Sequence, residues 1–262
     1  MTADHGPASP AVAAETPAAL GPILFARYAY PPNSLGYCGP SDSGNLLEAA
    51  AGQGDAEALG RLAAHFEGAW PYLRLIAASS GIDDPLDARV VEAYWVGNEL
   101  VEGVSPAALA ASLSETFRQP AAQLLAPSVP AGSVAGVAQH SFHVFAVYPW
   151  LRMLRSGREG PPLEVLDRCR IRWGAVETVE GDTVTVTSKG LVFGDGHLSL
   201  GPERTERVRR SLDGVGPPLD LKPGDAVSLH WDWVCDRLAP PALGWLQRCT
   251  ERNLVAVNAP SS

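Results

Sequence analysis

Pro223-Gly224-Asp225-Ala226-Val227-Ser228-Leu229-His230-Trp231-Asp232-Trp233-Val234-Cys235-Asp236 is the stretch from which the C-terminal third of the chain can be read. Its Pro-Gly-Asp opening predicts a tight turn, because proline presets φ while glycine and aspartate tolerate the remaining turn conformations. The alternation behind it predicts one strand, with Val227, Leu229, Trp231 and Trp233 on one face and Ser228, His230 and Asp232 on the other. His230 is thereby expected opposite the apolar face, where an imidazole on a rigid strand can reach a ligand or partner.

The β character extends upstream. Val184-Thr185-Val186-Thr187 alternates as a half-buried strand, Gly190-Leu191-Val192-Phe193 continues it, and Gly194-Asp195-Gly196 reads as a hairpin turn before His197-Leu198-Ser199-Leu200. Gly181-Asp182, between Val179 and Val184, reads as an earlier hairpin. Such strands predict a small OB-like β-barrel, and Pro240-Pro241 starts a final helix through Leu243, Trp245, Leu246 and Leu254. Arg204, Arg207, Arg209 and Arg210, interleaved with Glu203 and Glu206, read as a solvated helical face.

Cys169, Gly174 and Val176 form a pattern of cysteine, four residues, glycine, one residue and an aliphatic residue. The Gly181-Asp182 hairpin follows, and Gly224, Asp225, Val227 and His230 then spell Gly-Asp-x-Val-x-x-His. In this order the last third of the chain resembles the small hydrogenase-maturation chaperones of the HypC/HupF type. In that family the cysteine follows the initiator methionine, whereas Cys169 is internal. The resemblance implies an accessory protein, not a turnover enzyme, in which Cys169 and His230 hold an iron fragment bearing cyanide and carbon monoxide. Its implied partners are the hydrogenase large subunit and a maturation scaffold protein. A soft thiolate and a borderline imidazole suit low-spin iron and leave its other positions to cyanide, carbonyl and a partner's donor. Asp232, on the His230 face, is expected to orient the imidazole ring, and Cys235 stands by as a substitute thiol.

With 262 residues, 46% of them hydrophobic, the chain can bury a sizeable core in one large domain or two ordinary ones. A formal net charge of −9 opposes binding to a phosphate backbone, so no nucleic-acid partner is expected. No run is long enough to span a bilayer, and Met1-Thr2-Ala3-Asp4-His5 lacks the basic start of a secretion signal, so a cytoplasmic protein without membrane attachment is expected. Four cysteines, at 38, 169, 235 and 249, make neither a CxxC pair nor a dense framework, which fits reduced thiols.

The fold class expected is α+β: an N-terminal α-helical bundle followed by the small barrel and its C-terminal helix. Residues 1–20, rich in alanine and proline, read as a disordered tail, 21–157 as the helical domain, 158–168 as a linker and 169–262 as the barrel domain. Within the helical part, Tyr30 to Pro40 reads as a loop, and Ser41, Asp42 or Ser43 as the cap of a helix from about Gly44. Ala58, Leu59, Leu62 and Phe66 form an apolar stripe; Tyr72 to Ser79, a stretch from Asp84-Pro85 through Trp95, and one from Ser105-Pro106 give further helices. After a loop from Gln119 to Gly136 comes a very apolar helix, Gln139 to Leu151, which Pro149 should kink.

Two further groups of residues carry chemistry. Cys38, just before a helix N-terminus, reads either as a small buried hydrophobe in a tight loop or as a low-pKa thiol, reactive or ligating. It founds the alternative reading, a thiol enzyme of acyl or related group transfer with His65, His140 or His143 as base. His140 and His143 stand three apart on one helical face, the spacing of a metal-binding pair that Glu67, Glu92 or His65 could complete.

Overall fold

The computed structural model describes residues 17–41, 44–117, 136–158 and 160–259. The expected tail as far as residue 16, the caps at Asp42 and Ser43, and the loop from Gln119 up to Gly136 lie outside the described residues.

The helical half packs around α1 (Pro17–Ser34), whose Phe25, Ala26, Tyr28 and Ala29 are buried. On it pack α2 (Gly44–Ala50), α3 (Ala56–Ala63) and α5 (Ala88–Trp95); α4 (Trp70–Ser79) packs on α5, and a 3-10 turn (Glu99–Gly103) and α6 (Pro106–Phe117) pack on α4. Asp55 and Asp87 cap α3 and α5 by accepting the Glu57 and Arg89 amides, which are orphan donors of a first helical turn. The loop expected from Tyr30 does not begin there, because α1 continues through Pro31 and Pro32 to Ser34. The proline φ fits a helix; what proline removes is an N–H, so Pro32 leaves the Tyr28 carbonyl without its helical donor.

A single α-turn, α7 (His140–Phe142), runs into a π-helical turn, His143–Val147. Pro149 ends this segment and does not kink it: Tyr148 is pushed to ψ 149°, as a residue before proline usually is, and Pro149 caps α8 (Trp150–Arg155). The stretch expected as a linker carries a helix, α9 (Pro161–Cys169), with two prolines in its first turn and Leu166 and Asp167 buried.

Five strands follow: β1 (Arg172–Glu180), β2 (Thr183–Gly194), β3 (His197–Arg209), β4 (Ala226–His230) and β5 (Trp233–Arg237). They form a closed barrel in the order β1-β2-β3-β5-β4, and α10 (Pro240–Asn258) completes the described chain. Both expected hairpins are present as two-residue turns, with Glu180 paired to Thr183 and Gly194 to His197. The Pro-Gly-Asp turn also forms: Asp225 N–H donates to the Lys222 carbonyl, and Gly224 takes φ +92°, open to glycine and costly to other residues.

Two expectations about this half are corrected. The arginine-rich segment is not a helical face: Arg204, Arg207 and Arg209 lie on β3, paired residue for residue with β2 from Glu203 to Arg209, and that long-range pairing overrides a local charge pattern that suits a helix. The strand expected through Trp233 stops at His230, and Trp231-Asp232 makes a two-residue turn back into β5. Trp231 sits in that turn at φ +53°, a strained region for a bulky residue. Ser228 and His230 are as completely buried as Val227 and Leu229, because α1 covers the outer side of β4. The core is continuous across the two halves: Ile171, Trp233, Cys235 and Leu238 pack with the helical residues, while Val176, Val184, Val186, Val208 and Val227 belong to a cluster within the barrel.

Candidate metal centre

Cys169 is the last residue of α9 and His230 the last residue of β4, and backbone contacts of their neighbours hold the two ends together. The Trp231 amide, one residue past His230, donates to the carbonyl of Arg168, one residue before Cys169, at 2.7 Å. Arg172, buried at the start of β1, donates to the Trp231 carbonyl at 2.8 Å and to Glu206 at 3.1 Å. Asp167 anchors the last turn of α9 by accepting from the Leu191 amide, Arg170 and Arg204. Burial works to raise the Asp167 pKa, but the guanidinium groups of Arg170, Arg172 and Arg204 outweigh it and hold the carboxyl below its ordinary range.

The His230 ring is oriented by α1. Its Nδ1–H donates to the Tyr28 carbonyl at 2.6 Å, the same carbonyl that Pro32 leaves without a helical donor. With the proton on Nδ1, the lone pair sits on Nε2, which is buried and has no hydrogen-bond partner. The Cys169 carbonyl lies close enough to favour a charged ring, but to the neutral ring it offers a second acceptor and no proton. Burial, followed by the neighbouring His140, holds His230 well below the usual histidine range, so the ring is neutral near pH 7.

The helical half contributes a second imidazole. His140, Cys169 and His230 present ligand atoms that lie within 4.8 Å of one another, all three residues buried. Gln139 fixes the turn that carries His140, accepting the Ser141 amide and donating to the Trp95 carbonyl, and Trp95 packs against both His140 and His230. His140 differs from His230 in having both nitrogens engaged. Its Nε2–H donates to the Cys169 carbonyl at 2.8 Å, and its Nδ1 meets the Tyr94 hydroxyl at 3.0 Å. Burial lowers its pKa to about 4.

These groups line a cavity of about 120 Å³ together with Cys38, His143, Tyr94, Trp95 and Tyr148. Tyr37 also lines it, stands 52% exposed and stacks on Trp231 at 4.4 Å, so this wall meets solvent. Burial raises the Cys169 thiol far above its ordinary value and the Cys38 thiol to about 11. Without a Lewis acid the centre is uncharged at neutral pH: two thiols and neutral imidazoles in an aromatic enclosure. A soft or borderline metal ion changes that, since coordination expels the thiol proton and uses the bare Nε2 lone pair. Cys169 carries a free thiol and His230 Nε2 has no partner, and with His140 these residues make a group that could hold a metal ion. His140 can join only by giving up a hydrogen bond.

The remaining candidates fall elsewhere. Asp232 does not orient His230: it is exposed and ion-pairs with Arg168, because the turn at Trp231 carries it away from the ring. Cys38 is not a stabilised thiolate, since its partial burial against the cavity raises its pKa and α2 begins only at Gly44. Cys235 is packed in the core and is not among the cavity residues. His65 and Glu67 are exposed, and Glu92 accepts from Asn98, so none completes the His140/His143 pair. Sequence reasoning missed Tyr28, Pro32, Tyr94 and Trp95; only the Pro31-Pro32 pair, unusual inside a helix, carried a signal.

The chain belongs to the DUF6390 family. The family's model, described as a family of unknown function, matches residues 17–262 and so takes in the helical half, the barrel and the cavity between their side chains. No curated protein and no solved structure matches the chain.

Proposed function

We propose that this protein carries an iron fragment in hydrogenase maturation, held by Cys169 and His230. The observation that supports the reading is the convergence of a free thiol and an unpartnered imidazole lone pair, 61 residues apart in sequence, at one buried cavity. The strand order, with β3 closing on β5 through the parallel pair Arg209 and Trp233, supports reading the barrel as OB-like. In this reading the iron with its cyanide and carbonyl ligands is cargo, received from a scaffold protein and passed to the hydrogenase large subunit. The donors fit it: a soft sulfur and an imidazole in a water-poor enclosure leave the other coordination positions to the small ligands. A cytoplasmic location accords with that task, and no described helix is long and apolar enough to cross a membrane.

The alternative, a thiol enzyme built on Cys38, is not favoured. A nucleophilic cysteine needs a lowered pKa or an adjacent base. Burial pushes the Cys38 thiol to about 11, His140 has both nitrogens occupied, and His143 makes no hydrogen bond, so neither imidazole is paired with the thiol.

Protein purified without oxygen from a host expressing hydrogenase genes tests the carrier reading through its infrared spectrum and iron content. Cyanide and carbonyl stretches, absent from a Cys169→Ala variant, are the expected result. A wild-type protein with neither iron nor those bands overturns it.

A further inference from the structure

His143 lines the same cavity and is 2% exposed, yet neither ring nitrogen has a hydrogen-bond partner. The ring stands among Tyr72, Phe117 and Tyr148, at centroid distances of 5.5, 5.3 and 4.6 Å, and those neighbours offer it ring faces and edges but no acceptor in hydrogen-bonding geometry. Gly68 gives it room, since a Cβ there would come within 3.1 Å of Nε2. Burial lowers its pKa to about 3, so it is a neutral imidazole with one N–H that lacks an acceptor.

Among the buried lining groups left without a partner, which include the Trp95 indole N–H, two imidazoles are complementary orphans. His230 offers a lone pair that needs a Lewis acid or a proton, and His143 offers an N–H that needs an acceptor. A metal ion carrying a linear anion satisfies both, the metal at His230 and Cys169, the far atom of the anion at His143. We propose, resting on the carrier reading above, that His143 is the hydrogen-bond donor for an anionic pseudohalide ligand, of the cyanide class, on the metal held by Cys169 and His230. A carbonyl ligand, a much poorer acceptor, gains little from the same N–H, so His143 sorts the anionic ligand from the neutral one. It touches the cargo's ligand and not the metal.

The test uses the full-length protein loaded with Co(II) without oxygen and titrated with sodium azide. Cobalt affinity is read from the thiolate-to-cobalt absorption and azide affinity from the visible bands. The wild type is expected to bind azide roughly tenfold more tightly than His143→Phe, the loss of one hydrogen bond to a charged acceptor. His143→Gln, which keeps an N–H, is expected to stay within a few-fold of wild type, and all three to bind cobalt alike. Gly68→Ala crowds the ring without removing it and is expected to weaken azide binding in the same direction, which keeps the test available if His143→Phe does not fold. Equal azide affinity in wild type and His143→Phe, or in wild type and Gly68→Ala, overturns the inference while leaving the carrier reading in place; it would mean that an ordinary water bridges the two orphans. Absence of a cobalt–thiolate band in the wild type overturns the carrier reading, and this inference with it.

Discussion

On the barrel side of the cavity, His230 gives its Nδ1 proton to the Tyr28 carbonyl and keeps Nε2 bare, whereas on the helical side His140 engages both nitrogens, with Tyr94 and the Cys169 carbonyl. The two rings are 5.2 Å apart and both residues are buried. Burial is therefore not what separates the ring with a bare nitrogen from the ring with none. The separation lies in the backbone: a proline in α1 frees a carbonyl that fixes one ring by a single nitrogen, and the end of α9 takes up the other ring's remaining proton.

Removing sulfur from the barrel wall should break this comparison most severely. Cys169→Ala is expected to weaken Fe(II) binding by on the order of 100-fold or more, since an imidazole alone remains, with a stability change of about 1 kcal/mol. His140→Gln should do the reverse, leaving metal affinity within a few-fold while costing roughly 1–3 kcal/mol through unpaired buried partners. Equilibrium dialysis beside urea unfolding separates the two outcomes, and a large metal loss in His140→Gln would place both rings in one role.

The next largest effect is on pH dependence. An unfolded histidine takes up its proton as pH falls through about 6.5, while His140 stays neutral in the fold down to about 4 and His143 to about 3, and His230 is likewise lowered. The stability linked to these groups is complete above the ordinary histidine value, is lost progressively as pH falls below it, and is gone once pH has passed the folded-state values. The urea midpoint should drop steadily from pH 7 to pH 4, with net proton uptake on unfolding near pH 5. A midpoint flat over that interval would contradict neutral buried rings on either wall.

How much of this was legible in the sequence follows from how local each signal is. The hairpins at Gly181-Asp182 and Asp195-Gly196 and the turn at Pro223-Gly224 were readable because their backbone angles are demanded by the residues themselves. The start of α10 was readable for the same reason, two prolines at its first turn. The turn at Trp231-Asp232 was not, because tryptophan at positive φ has no local preference for it; Arg172 and the Arg168 carbonyl impose it from outside. Cys169 and His230 stood out through their family-like spacing, and His140 and His143 through their separation of three. That His140 and His230 meet at Cys169 depends on α1 and α7 docking against β4 and α9, which no spacing along the chain reports.

A subtler change acts on the origin of the difference. Pro32→Ala restores an N–H that competes for the Tyr28 carbonyl with His230, and should weaken metal binding up to about tenfold through a looser ring, with little change in stability. Unchanged affinity, measured by competition with a colorimetric chelator, would show that the proline does not set the ring. The smallest expected effect is that of Tyr94→Phe, which removes the hydroxyl at His140 Nδ1 and should cost about 1 kcal/mol in unfolding free energy with metal affinity unchanged.

X-ray absorption at the iron edge of the metal-loaded wild-type protein tests the central claim most directly. The account predicts a sulfur scatterer together with imidazole nitrogen scattering from the protein, with the sulfur lost in Cys169→Ala. A first shell made only of oxygen donors, or a sulfur that survives the substitution, would contradict it.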